Sequence, residues 1–249
     1  MLFNEIKDNK LPTIILLHGG GLSNWSLSNV AKLLEKDYNV VTPIIDGHGE
    51  DGNEDFISIE DSAKKLLEYI AKNHNGKVFA IGGLSLGAQI ATEVLSQRED
   101  IAQYAILESS LVIPLSKWII STIVPTYKLS YGLIKQKWFA KIQAKSLLIP
   151  DEMFEEYFAD SLKLSKQSLI NFTISNATYK LKDSIGKTKA TVLIIVGEKE
   201  IGLMKKSGEA LKNKIPNSKL YCAQNMKHGE LSIVHPEEYV KVIKNFFIK

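Results

Sequence analysis

"KVFAIGGLSLGAQIATEVLSQ", from Lys77 to Gln97, sets the reading of the whole chain. Residues 77–83 form an apolar run with the character of a buried strand, and residues 86–97 space their apolar side chains as a helix does. Between them lies Gly83-Leu84-Ser85-Leu86-Gly87. A strand that turns this sharply into a helix strains the backbone at the serine, and bulky flanking side chains would clash. The same turn exposes the serine oxygen and sets the following amide at the positive end of a helix. A serine hydroxyl is a weak nucleophile at neutral pH, so chemistry at this point also needs a base and donors for an oxyanion. Without those partners the motif is an ordinary glycine-rich turn.

The same strand-then-helix rhythm extends in both directions. Strand character recurs at 13–18, 39–45, 103–109, 191–197 and 218–223, and helical spacing at 58–74, 202–214 and 236–249. Ser58 stands where a cap belongs, with Glu60 and Asp61 in the first turn, and Pro236 sits at a first helical position. Continuous apolar strands alternating with helices imply a parallel sheet covered on both faces. The rhythm stops between about 111 and 186, where the sequence is helical, aromatic (Trp118, Trp138, Phe139, Phe154) and without a core strand. The expected organisation is an α/β core over residues 1–110 and 187–249, with a helical cap inserted at 111–186.

Composition narrows the function. The chain has 249 residues, 45% hydrophobic and 24% charged, as in a soluble globular protein. Its net charge is +3, its lysines are scattered among acids, and Arg98 is its one arginine. That pattern argues against a nucleic-acid partner. Cys222 stands alone, so no internal disulfide forms, and its setting in "KLYCA" predicts a buried packing residue. "MLFNEIKDNKLP" carries acids and no long apolar core, unlike a signal peptide. "SSLVIPLSKWIISTIVPTY" is broken by Pro114, Lys117 and Pro125, short of the ~20 apolar residues of a spanning helix. A cytoplasmic protein with no spanning segment is expected; the sequence does not indicate its oligomeric state.

Candidate partners for Ser85 follow. "LLHGGG" ends the first strand, and its amides, Gly20 first and Gly21 second, can join the amide of Leu86 as oxyanion donors. The absence of a following Gly-Lys-Ser/Thr, or of Gly-x-Gly-x-x-Gly into a helix, weakens a nucleotide-site reading. Among five histidines, His74 ends a surface helix, His235 starts one, and His18 and His48 lie in glycine-rich turns. His228, in "NMKHGE", lies where a base reaches back over the sheet's carboxyl edge. Glu198 and Glu200 end the strongest strand, and Glu108 ends the 103–109 strand. No cluster has zinc-ligand spacing, so neither metal nor cofactor is expected.

The order of oxyanion loop, Ser85, acid and His228 resembles the α/β-hydrolase family. The resemblance rests on His18-Gly19-Gly20-Gly21, Asp46-Gly47-His48-Gly49, the elbow at Ser85, "GEKE" and "KHG". The chain departs from the family in its glutamate at 200, where an aspartate is usual, and in the shortened loop at 46–49, read as structural. The family's first strands are expected to be missing or reduced to "LFNEIK". The resemblance implies Ser85 as nucleophile, His228 as base, Glu200 (with Glu108 as rival) as the orienting acid, and the amides of Gly20 and Leu86 as oxyanion hole. It implies a serine hydrolase acting on a carboxylic ester or thioester of a small substrate. The aromatic cap suggests an apolar one, and having no arginine it would hold an anion only through lysines such as Lys117, Lys128 or Lys135. Alternatives are an enol-lactone or C–C bond hydrolase, to which "GLSLG" is also similar, or a catalytically weak ligand-binding member.

Overall fold

The computed structural model describes residues 1–3, 11–52 and 54–248. Six strands form one sheet: β1 (Thr13–Leu17), β2 (Asn39–Val41), β3 (Val78–Leu84), β4 (Ala102–Glu108), β5 (Thr191–Gly197) and β6 (Ser218–Ala223). Their spatial order is β2-β1-β3-β4-β5-β6, and every neighbouring pair is parallel. The helices are α1 (Ser28–Leu34), α2 (Ile59–Asn73), α3 (Leu86–Gln97), α4 (Lys117–Ser130), α5 (Lys137–Ser146), α6 (Phe154–Lys163), α7 (Lys166–Thr178), α8 (Gly202–Lys214), α9 (Glu230–Val234) and α10 (Pro236–Phe247). This is the expected α/β-hydrolase architecture, a parallel sheet flanked by helices.

Alternation along each strand divides the core in two. On β1, Ile15 and Leu17 face one way and join Ile70 of α2 and Val94 of α3. Ile14 and Leu16 face the other and join Leu34 of α1 and Ile243 of α10. With both faces covered, β1, β3 and β5 have no polar face, which is why their sequences read as unbroken apolar runs. At the start of α2 the Ser58 hydroxyl accepts from the Asp61 N–H at 3.1 Å, the cap its sequence called for.

The strand order positions a site. From β1 the chain moves outward to β2, then crosses back to lay β3 on the other side of β1. The loops leaving the carboxyl ends of β1 and β3 therefore diverge at a topological switch point, where open α/β sheets place ligands.

Three local expectations change. β2 stops at Val41, because the run 39–45 contains Pro43, which has no N–H to give a ladder. Ile44 instead makes an isolated antiparallel bridge with Leu2; residues 4–7 of "LFNEIK" lie outside the described residues. Cys222 is exposed, not buried. It lies on the edge strand β6, half of whose residues are exposed and one buried, so an apolar run there does not mean burial. Among the described residues, no helix is long and apolar enough to cross a membrane.

Between β4 and β5 the described residues contain helices α4–α7 and no strand. Its last part is knitted into the core: Tyr179 and Ile185 pack with the α2–α3 side of the sheet, and the Gln89 side-chain amide donates to the carbonyls of Leu111 and Asn176.

Candidate active site

The elbow is built to close tolerances. Ser85 has φ 54° and ψ −111°, a left-handed backbone that a side chain rarely adopts, at the cap of α3. Hydrogen bonds hold it there: its N–H donates to the Glu108 carbonyl at 2.9 Å, and its carbonyl accepts from the Gln89 N–H at 3.0 Å. A Cβ on Gly83 would lie 2.5 Å from the carbonyl carbon of Gly87. One on Gly87 would lie 2.4 Å from the Leu17 oxygen and 2.6 Å from that of His18. Gly87 needs glycine because α3 starts in backbone contact with the end of β1, and Gly83 because the first turn of α3 folds back onto it.

Two amides lie beside the serine. Leu86 is the first residue of α3, so its N–H has no carbonyl one turn back to bond. Gly20 lies on the loop after β1, and a Cβ placed on it would touch the Leu86 side chain at 3.5 Å. Among the described residues neither amide donates a hydrogen bond. Gly20 lines the same cavity as Ser85, whereas Gly21 turns away with φ +74°.

An imidazole lines the same cavity as Ser85, with a carboxylate hydrogen-bonded to it. His228 follows β6 in the turn before α9, and its Nδ1 lies 2.9 Å from Glu200 Oε2. The Glu200 carboxylate is fully buried, while the His228 side chain is 45% exposed. Glu200 Oε1 accepts from the Gly197 N–H and from the Ser109 hydroxyl, each at 2.8 Å. Burial pushes the Glu200 carboxyl up, but His228 and these two donors outweigh it and hold it below the usual carboxylate range. An ionised Glu200 fixes a proton on His228 Nδ1 and leaves Nε2 as the nitrogen able to accept one.

Glu108 is also close but engages differently. Its Oε1 accepts from the Ser232 N–H at 3.3 Å, and its Oε2 has no partner among the described residues. Burial pushes its carboxyl up to about 7, opposed by the Ser232 bonds and His228 and reinforced by Glu200. Glu198 points elsewhere, accepting from the Asn225 N–H at 2.7 Å.

The remaining histidines fill other places. His18 Nε2 accepts from the Ile45 N–H at 3.0 Å, so Nδ1 carries the proton and gives it to the Gly19 carbonyl at 2.8 Å. Burial lowers its pKa to about 3, so it is a neutral peg between two loops. His48 Nδ1 lies 2.8 Å from the Asp46 carbonyl, and the Asp46 carboxylate takes the Ser62 hydroxyl and the Lys65 ammonium. His74 is the C-cap of α2 and is half-buried rather than solvated, near Thr13 and Tyr69. His235 precedes Pro236 at the start of α10.

Ser85, His228 and Gly20 line one cavity of about 90 Å³, walled otherwise by Leu22, Leu84, Leu147 and Ile233. Ser146 and Leu147, at the end of α5, reach it from the helical segment. Sequence reasoning brought together Ser85, His228, Glu200 and Gly20 and missed Ser109. Ser109 has φ 54° and lies 91 positions from the glutamate it bonds. Nothing in "LESS" marks it.

Comparison with known proteins agrees with this fold. A sequence profile described as the alpha/beta hydrolase family matches residues 14–241. No curated protein matches the chain by sequence. Among solved structures, an esterase from Exiguobacterium antarcticum is similar at TM-score 0.81 and 18% identity, over 99% of this chain and 95% of that one. A bromoperoxidase from Bacillus anthracis gives 0.83 at 16% identity, with coverage of 99% and 95%. An enol-lactonase from Burkholderia xenovorans gives 0.80 at 14% identity, with coverage of 99% and 96%.

Proposed function

The chain belongs to the α/β-hydrolase family, and from that premise we propose that it is a serine hydrolase cleaving a carboxylic ester or thioester through an acyl-enzyme on Ser85. The observation that carries this reading is the buried Glu200 carboxylate held 2.9 Å from Nδ1 of His228, with His228 and Ser85 on one cavity wall.

In the proposed reaction His228 Nε2 takes the Ser85 proton as the hydroxyl oxygen attacks the substrate carbonyl carbon. Negative charge collects on the carbonyl oxygen and is met by the amides of Gly20 and Leu86; loss of one such donor typically costs ~3 kcal/mol. The protonated imidazole is stabilised by Glu200 and returns its proton to the leaving alcohol or thiol. Water, deprotonated by the same nitrogen, then releases the acid and restores Ser85. Residues 111–186 serve as the cap, since Ser146 and Leu147 close one wall of the cavity. A cavity of about 90 Å³ with four aliphatic walls suits a short, apolar acyl group.

Fluorophosphonate labelling followed by peptide mass spectrometry tests the assignment. The adduct is expected on Ser85, absent in Ser85→Ala and strongly slowed in His228→Ala, with acetyl esters turned over faster than octanoyl esters. A folded wild-type protein that takes no label, or takes it on another serine, overturns the reading.

A further inference from the structure

The surface of α4 and α5 combines lysines with exposed apolar side chains. Residues 111–150 contain six lysines and no aspartate or glutamate, within a chain whose net charge is only +3. Everything outside this segment is therefore net acidic. Four doublets repeat along it: Lys117-Trp118, Lys128-Leu129, Lys137-Trp138 and Lys141-Ile142, all exposed. Trp118 is 77% exposed, Leu129 89%, and Trp138 and Ile142 58% each.

The helical geometry explains the pattern. On α4, Ile123 is buried with Ile120, Val124 and Tyr127 beside it, on the side that packs against α7. Trp118, Thr122, Pro125 and Leu129 follow at i, i+4, i+7 and i+11, one outward stripe with Lys117 and Lys128 next to it. On α5, Ala140 and Ala144 face inward, while Trp138 and Ile142 share an outward stripe with Lys141 and Lys145. Among the described residues, Lys117, Lys128, Lys141 and Lys145 make no ion pair, and Lys137 pairs with Glu155.

We propose that the outward stripes of α4 and α5 are docking surfaces for an anionic lipid membrane. Exposed tryptophan and aliphatic side chains beside lysines, on helices that carry no acid of their own and meet Asp151 and Glu155 at the edge of α5, are what an interfacial helix needs at a negatively charged bilayer. A second copy of the chain is a poor occupant, because a two-fold pairing of this face would set lysines against lysines. Helix α5 ends at Ser146 and Leu147 on the wall of the Ser85 cavity, so a docked α5 ties the lipid surface to one wall of that cavity. The proposal concerns binding only and does not depend on the hydrolase reading.

Sedimentation with vesicles of phosphatidylcholine alone, or with one third phosphatidylglycerol, tests it in the full chain without reference to turnover. Binding is expected to the anionic vesicles and at least about tenfold weaker to the neutral ones, and to weaken as salt rises. K117E/K128E and, separately, W118A/L129A are each expected to weaken it about tenfold. These side chains are exposed, so far-UV circular dichroism and the thermal midpoint should be unchanged. Brominated lipid should quench Trp118 and Trp138, and W118F/W138F should lose that quenching. The remaining Trp25 is half-buried, donates to Asp160 and packs on Tyr157. No binding, equal binding to both vesicles, or binding that both pairs of substitutions leave intact overturns the proposal. So does concentration-dependent dimerisation in light scattering that L129S abolishes, which would assign the face to a second copy.

Discussion

Around β3 and α3 the backbone is packed to contact, whereas α4 and α5 hold many of their side chains in solvent. A Cβ on Gly87 would meet the Leu17 and His18 oxygens, while one on Gly132, in the helical segment, would meet nothing within 4 Å. Ser85 and Ser109 both adopt left-handed backbones, and both lie at the carboxyl edge of the sheet. Strain of this kind costs ~1–3 kcal/mol per residue and persists only where neighbours over-determine it. The contrast separates a region that positions reactive groups from one that presents a surface.

The largest effect expected from this contrast is at the elbow. In Gly87→Ala the obstacle is backbone, which cannot rotate away, so α3 must shift from the end of β1. A loss of ~3 kcal/mol is expected in urea unfolding, the upper end of what overpacking a tight core contact typically costs. A loss below ~1 kcal/mol would mean that the elbow is as forgiving as the outer helices.

Glu108 sharpens the same point through pH. Its carboxyl is fully buried, with a pKa raised from 4.5 to about 7. The folded protein therefore holds this proton more tightly than the unfolded chain. The linked stability is full below the unfolded pKa, falls as pH rises from about 4.5 towards 7, and is gone above that. A gap of about 2.5 units corresponds to something on the order of 3 kcal/mol. Glu108→Gln keeps an acceptor for the Ser232 N–H and cannot ionise. It should match the parent near pH 4 and exceed it by ~2–3 kcal/mol at pH 8. Denaturation curves that stay parallel across that range would show that Glu108 is not the group responsible.

These positions also mark what the sequence could reveal. β5, β6, α3 and α8 run between the residues their apolar runs and helical spacing called for, because local pattern and tertiary burial agree there. Ser85, with its flanking glycines, was legible because its constraints are local. Glu200 was legible only as one of two glutamates after β5, with Glu108 as a rival, since choosing among them needs the contact with His228. Cys222 was misplaced because edge and central strands can carry the same apolar run. The lipid-like face was hidden by whole-chain charge, in which acids elsewhere cancel the lysines of 111–150.

Ser109 tests a contact that no local pattern encodes. Its hydroxyl is one of two protein donors on Glu200 Oε1. Removing it leaves the Gly197 N–H and should loosen the alignment of His228, lowering kcat/KM about tenfold, ~1.4 kcal/mol. Ser109→Ala keeps the left-handed strain, and Ser109→Gly relieves it. Equal losses in both assign the effect to the hydroxyl, whereas activity retained in the glycine variant assigns it to strain.

The smallest effect is expected at Gly132, and it is the one that bears on the outer helices. This glycine sits in the short helical turn Tyr131–Lys135, without a left-handed backbone and with open space where a Cβ would go. Alanine there removes no contact from the folded state. It narrows the unfolded chain's choices, which typically stabilises by ~0.4–1 kcal/mol. Gly132→Ala should therefore raise the urea midpoint slightly and leave ester turnover unchanged. If it instead destabilises by more than ~1 kcal/mol, the turn between α4 and α5 is held as tightly as the elbow. If stability rises but turnover falls, freedom at this turn is used during the reaction, and the outer helices take part in more than presenting a surface.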